Sequence, residues 1–169
     1  MHLRHVVLPW LTAAFALSQP WEAVAFEVET HAAITPKAAE SPLLNMAVSE
    51  MLGLRDGLRT GVRGQSLEAW AVTGSVTEDR VPRFFNHFHH PLTVDWRQAG
   101  LGLGFGTSSV LWAHDQTPFF PQWTWPATRQ HFVDALTRRL ASDREVALTR
   151  TFEGLGRLVH PIQDAASPA

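Results

Sequence analysis

In the stretch LVHPIQDAASPA, His160 and Asp164 stand four residues apart. On a helix that spacing puts an imidazole and a carboxylate on one face, where they can grip one ion or simply pair with each other at the surface. A second group of donors fills GSVTEDRVPRFFNHFHHP, in which Glu78, Asp79, His87, His89 and His90 crowd into one short segment. Carboxylate followed by imidazole is a donor set suited to zinc, and irregular chain can aim both inward. The competing reading puts Phe84, Phe85 and Phe88 in the core and leaves the histidines on an exposed loop. The third group is FEVETH, with His31 five residues after Phe26. A chain that begins at Phe26 offers its free amine and its own carbonyl as a five-membered chelate beside His31; the alternative is a lone histidine at the start of a helix.

The elements that must position these groups read as helices. In SPLLNMAVSEMLGL, Ser41 is the expected N-cap, Pro42 the first helical residue and Gly53 the stop, so a helix is expected from Pro42 to Leu52. GQSLEAWAVTG has the same grammar from Ser66 to Gly74. WPATRQHFVDALTRRLAS, entered through Pro126, places Phe132, Ala135, Leu136 and Leu140 on one face, with Arg138, Arg139 and His131 toward solvent. The longest pattern starts at a capping Asp143 and carries Val146, Phe152, Leu155, Val159 and Ile162 on a broad apolar side, with Pro161 expected to kink its last turns. GLRTGVRGQ and QAGLGLGFGTSS are glycine-rich and show no period-two alternation, so the chain reads as all-α. The long loop from Thr93 to Ser108 is expected to pack on the helices or the rim of a site.

Composition narrows the class. A chain of 169 residues with 45% hydrophobic and 18% charged residues suits one packed domain. No repeat, low-complexity tract or linker divides it. A formal net charge of −2 is not that of a polyanion binder. Residues 1–25, MHLRHVVLPWLTAAFALSQPWEAVA, have the layout of a secretory signal peptide: Arg4 near the start, an apolar run from Val6 to Leu17, and Ala23-Val24-Ala25 as the cleavage site. That run is too short to span a bilayer, which takes about 20 apolar residues, and Pro9 interrupts it. The expected mature chain, 26–169, is therefore secreted or periplasmic. It has no cysteine, so a core or a metal must hold it, and it retains seven of the nine histidines.

The three donor segments together resemble the zinc-dependent phospholipase C and single-strand nuclease superfamily, all-helical exported hydrolases with a three-zinc cluster. FEVETH looks like the family's mature start, where the first residue, usually Trp, chelates zinc with a His close behind. GSVTED looks like the segment that carries an aspartate ligand. NHFHHP is similar to the family's Asn-His-Phe-Tyr-Asp-Pro, and LGRLVHPIQDAASPA looks like the helix that supplies His and Asp ahead of Pro-x-His. The resemblance spans nearly all of residues 26–169, as the N-terminal part of the family's domain.

The resemblance implies one zinc on Asp79, His87, His160 and Asp164, and a second on the Phe26 amine and carbonyl, His31 and a shared Asp164. The family's remaining zinc uses three residues absent from this sequence, the first of which its pattern would place immediately beyond Ala169. The implied chemistry is attack by zinc-activated water on a phosphodiester, with Asp79 orienting the water and Glu78 as the alternative. Trp, Phe and Leu suit acyl chains or stacked bases equally, and the lack of a basic groove favours phospholipid or another small phosphodiester over long nucleic acid. A single-strand nuclease or nucleotidase is the rival of the same chemistry. A truncated, non-catalytic zinc-binding helical domain is the rival of another class. The sequence departs from the family in four places: Phe26 for Trp, with Trp21 a competing start; His89-His90 for Tyr-Asp; Pro161 between two ligands; and the absent third set.

Overall fold

The computed structural model describes residues 26–89, 92, 106–114 and 123–166. The leader read in residues 1–25, His90 and most of the loop from Thr93 lie outside the described residues. What is described is mostly helical, with six α-helices: α1 Val28–Ala39, α2 Pro42–Met46, α3 Leu67–Glu78, α4 Ser109–His114, α5 Trp125–Thr137 and α6 Ala141–Ala165. Among the described residues, no helix is long and apolar enough to cross a membrane.

The helix expected over Pro42–Leu52 is α-helical only to Met46 and continues as a π-helical turn, Ala47–Met51. Ser41 makes no capping bond. Asn45 ties this segment down instead, donating to the carbonyls of Ala39 at 2.8 Å and Ser41 at 3.2 Å and accepting from the Leu58 amide at 3.3 Å. Gly53 ends the helical run at φ +66°, where a side chain would be strained. The glycine-rich stretch that follows is not strandless. Gly61–Val62 and Gln65–Ser66 (β1 and β2) pair antiparallel across Arg63 and Gly64, whose φ of 53° and 93° define a tight primed hairpin turn. Strands two residues long carry no alternation for sequence reading to find.

α3 starts where expected, with the Ser66 hydroxyl accepting from the Ala69 amide at 3.1 Å. Gly74 is not its stop. A Cβ at Gly74 would collide with the Glu153 carbonyl of α6, and one at Gly156 with the Ala71 carbonyl of α3. The two helices thus touch backbone to backbone, which brings Ser75 of α3 and Asp79, just past its end, beside His160 and Asp164 of α6.

α5 is capped by Thr124, whose hydroxyl accepts from the Ala127 amide at 3.4 Å. Its expected apolar face is only partly used, since Leu136 and Leu140 are exposed while Phe132 and Ala135 are half-buried. The contact with α6 is made through buried Thr128, which fills the space a side chain at Gly154 would need. His131, expected in solvent, is half-buried, edge-on to Trp123 with ring centroids 6.4 Å apart.

α6 begins two residues ahead of Asp143 and remains helical through Pro161 to Ala165. Its buried stripe changes character along its length. Phe152 joins the apolar cluster of Ala39, Val48, Leu58, Val62 and Leu67. One to three turns on, the same side buries Arg157, His160, Gln163 and Asp164, while Ile162, expected on the apolar side, is exposed. A face that buries polar groups must satisfy them, so this end of the helix is where chemistry is to be sought.

Candidate metal centre

Three elements deliver the donors: α1 supplies His31, the end of α3 and the following turn supply Asp79 and His87, and α6 supplies His160 and Asp164. His31 and His160 are fully buried, with rings stacked at 3.7 Å between centroids. Two groups of donors could each hold a metal ion: His31, His160 and Asp164, and Asp79, His87 and His160.

The donor atoms approach one another closely. His160 Nε2 lies 3.1 Å from His87 Nδ1, 3.1 Å from Asp164 Oδ2 and 3.3 Å from Asp79 Oδ1. His87 Nδ1 lies 3.2 Å from Asp164 Oδ2 and 3.6 Å from Asp79 Oδ1. The four atoms form two triangles sharing the His87–His160 edge. With zinc bonds of about 2.0–2.2 Å, tetrahedral donors stand about 3.3–3.6 Å apart, so each triangle has nearly the size of a face around one ion. On the other side of the carboxylate, Asp164 Oδ1 is 3.0 Å from His31 Nε2, which is itself 3.1 Å from the Phe26 carbonyl oxygen. Asp164 thus turns Oδ1 toward His31 and Oδ2 toward His87 and His160, while His160 is the residue common to the two donor groups.

The donor chemistry fits a cation. Both carboxylate oxygens of Asp164 and Nε2 of His87 are buried without a hydrogen-bond partner among the described residues. A carboxylate so placed costs several kcal/mol unless a cation faces it, and a divalent ion meets that need more completely than one imidazolium. Burial on its own disfavours the charged forms of both His160 and Asp164. Their mutual contact, with Asp79 and His87 added, overrides burial: His160 is pushed up from 6.5 to about 9, and Asp164 is held well below the usual carboxylate range. Asp79 keeps 23% of its side chain exposed, Asp164 only 2% and His87 only 1%, so Asp79 is the open side of the group.

The distal nitrogens of two imidazoles are held firmly. His160 Nδ1 donates to the Ser75 carbonyl at 2.7 Å, which leaves Nε2 as the donor toward the carboxylates. His31 Nδ1 faces the Gln163 side-chain oxygen at 2.7 Å. Ser75, Gln163 and Thr35 were not singled out by sequence reading; nothing but their helical offsets from the donors, Ser75 four before Asp79 and Gln163 one before Asp164, could have pointed to them.

Glu78 does not serve as the expected alternative to Asp79. Its buried carboxylate is taken by Arg83 Nε at 2.6 Å, Arg157 Nη1 at 3.2 Å and the Trp112 indole N–H at 3.2 Å. The two guanidinium groups in turn lie over Trp112 at 4.9 Å and Trp123 at 4.6 Å. This cluster sits behind His87, whose Nε2 is 4.0 Å from Glu78 Oε1. His87 itself is buried and does not lie on an exposed loop. His89 bonds the Ser108 hydroxyl at 2.8 Å and belongs to neither donor group. The described end of the long loop packs as expected on the turn below the site, where the Thr107 amide donates to Asn86 at 2.7 Å and Gly106, at φ +84°, lies against the Phe85 carbonyl.

No family model, curated protein or solved structure matches this chain.

Proposed function

We propose that this chain is an exported, phospholipase C-like hydrolase of phosphodiester bonds that works with zinc ions sharing Asp164. The observation that supports it most is the convergence of three imidazoles, His31, His87 and His160, from three separate elements on one buried carboxylate that has no hydrogen-bond partner of its own among the described residues. Zinc in such a centre lowers the pKa of bound water to about 7 and neutralises charge developing on a phosphoryl group. The chain's own contributions are geometric. His160, fixed by the Ser75 carbonyl, and His31, fixed by Gln163, hold their Nε2 atoms toward Asp164. Asp79 is the partly exposed carboxylate at the edge of the group, suited to orient a water and take up its proton. The net charge of −2 and the absence of a basic stripe favour a phospholipid or other small phosphodiester as substrate. Export follows from the leader-like residues 1–25, so the place of action is secreted or periplasmic.

The non-catalytic reading has one observation in its favour. Asp79, His87, His160 and Asp164 lie close enough that together they would offer one ion four protein donors, and closed four-donor sets are typical of structural zinc. The second position would take the Phe26 amine and carbonyl with His31 and Asp164, and the partly exposed Asp79 is the side of the group on which water could enter. Elemental analysis of the chain processed after Ala25, followed by assays on phosphatidylcholine and single-stranded DNA, separates the readings. Zinc with phosphatidylcholine cleavage is the expected result. Cleavage of DNA alone makes it a nuclease, zinc without turnover makes it a binding domain, and no transition metal after reconstitution removes the proposal.

A further inference from the structure

Building on the metal-centre reading, we propose that Gln163 is a positioning residue: its amide oxygen holds His31 in the form that carries hydrogen on Nδ1 and presents Nε2 to the ion beside Asp164. The side chain is buried and every polar atom of it is engaged. Its Nε2 donates to the Thr35 hydroxyl at 3.1 Å, which orients the amide and turns Oε1 toward His31. Oε1 then accepts twice, from His31 Nδ1 at 2.7 Å and from the Ser75 hydroxyl at 3.1 Å. An amide oxygen can only accept, so the imidazole must donate through Nδ1 and is left with its Nε2 lone pair on the side of Asp164 Oδ1, 3.0 Å away.

Ser75 extends the arrangement to the other donor group. Its hydroxyl serves Gln163 and, through that amide, His31, while its carbonyl takes the Nδ1 hydrogen of His160 at 2.7 Å. One residue of α3 therefore steadies both stacked imidazoles, and Gln163 is the link that reaches across to α1. A residue that merely filled space here would need neither two accepted bonds nor a hydroxyl on α1 to hold its amide.

The test uses Gln163→Met, which keeps the length and removes the strong acceptor, and Gln163→Glu, which keeps the acceptor. Zinc binding to the full chain is followed by calorimetry, and the hydrogen-bonded His31 Nδ1–H of the zinc-loaded chain by proton NMR. Gln163→Met is expected to weaken the ion held by His31 by about 10–100-fold, the usual cost of losing a partner behind a ligating histidine. It should also abolish the slowly exchanging Nδ1–H signal and leave the ion on Asp79 and His87 within about threefold of wild type. Gln163→Glu should keep the signal and bind at least as tightly as wild type. If Gln163→Met does not fold, Gln163→Glu decides: loss of the Nδ1–H signal, or weaker binding, overturns the proposal. Zinc bound by wild type and equally by a folded Gln163→Met with its Nδ1–H intact overturns this inference alone. Wild type that takes up no zinc overturns the metal-centre reading beneath it.

Discussion

Asp164→Asn is the substitution to which the centre should be most sensitive. Asp164 turns Oδ1 to His31 at 3.0 Å and Oδ2 to His160 and His87 at 3.1 and 3.2 Å, so both ion positions lose their shared negative charge at once. Asparagine keeps the shape but offers a single neutral oxygen donor. With free zinc held at a hundred times the wild-type dissociation constant, each ion stabilises the folded chain by about 2.7 kcal/mol, and the pair by about 5 kcal/mol. For a chain of this length that is a rise in Tm of roughly 10–20 °C over the metal-free form. Asp164→Asn should lose most of that increment; in EDTA it also gives up the pairing with His160 and His87 and should melt below wild type, so the quantity compared is each protein's rise over its own EDTA form. His89→Ala, whose side chain bonds the Ser108 hydroxyl and belongs to neither donor group, should keep both the zinc and the increment. Thermal melts of the three proteins with and without zinc, paired with elemental analysis, make the comparison. Equal zinc content and an equal zinc-dependent rise in Asp164→Asn and His89→Ala would refute the shared-carboxylate assignment.

Other outcomes follow from the same geometry. In the metal-free chain His160 is raised from 6.5 to about 9, so its pairing with Asp164 and Asp79 contributes stability that is complete below about pH 6.5 and is lost as pH rises through about 9. Zinc must displace that proton; its affinity should climb about tenfold per pH unit from 7 toward 9 and then level off, whereas calorimetry showing a flat affinity and no proton release would contradict it. Gly74→Ala drives a methyl into the Glu153 carbonyl and should cost at least about 3 kcal/mol in urea unfolding, beyond ordinary overpacking, while Gly61→Ala, with open space around it, should cost less than about 1 kcal/mol. Glu78→Gln leaves Arg83 buried without its carboxylate and Arg157 with the Glu153 carboxylate alone, and should destabilise the chain by about 3 kcal/mol; a stability unchanged within error would show that the cluster behind His87 is inert.

The sequence by itself determined the helical class, the donor types and most helix beginnings. Ser66 and Thr124 carry local capping chemistry, and the four-residue offset of His160 and Asp164 survives any packing that keeps α6 helical. Such features depend on neighbours within a turn or two, so they are visible in one dimension. Only the tertiary structure decided the rest. Gly74 reads as a stop until α6 crosses it, and Glu78 and Asp79 are equivalent carboxylates until Arg83 and Arg157 close on one of them. Gln163 is an ordinary polar helix residue until α1 and α3 bring His31, Thr35 and Ser75 against it. Which groups are buried together depends on contacts such as His31 with Gln163, separated by 132 residues of chain, and no local pattern carries that information.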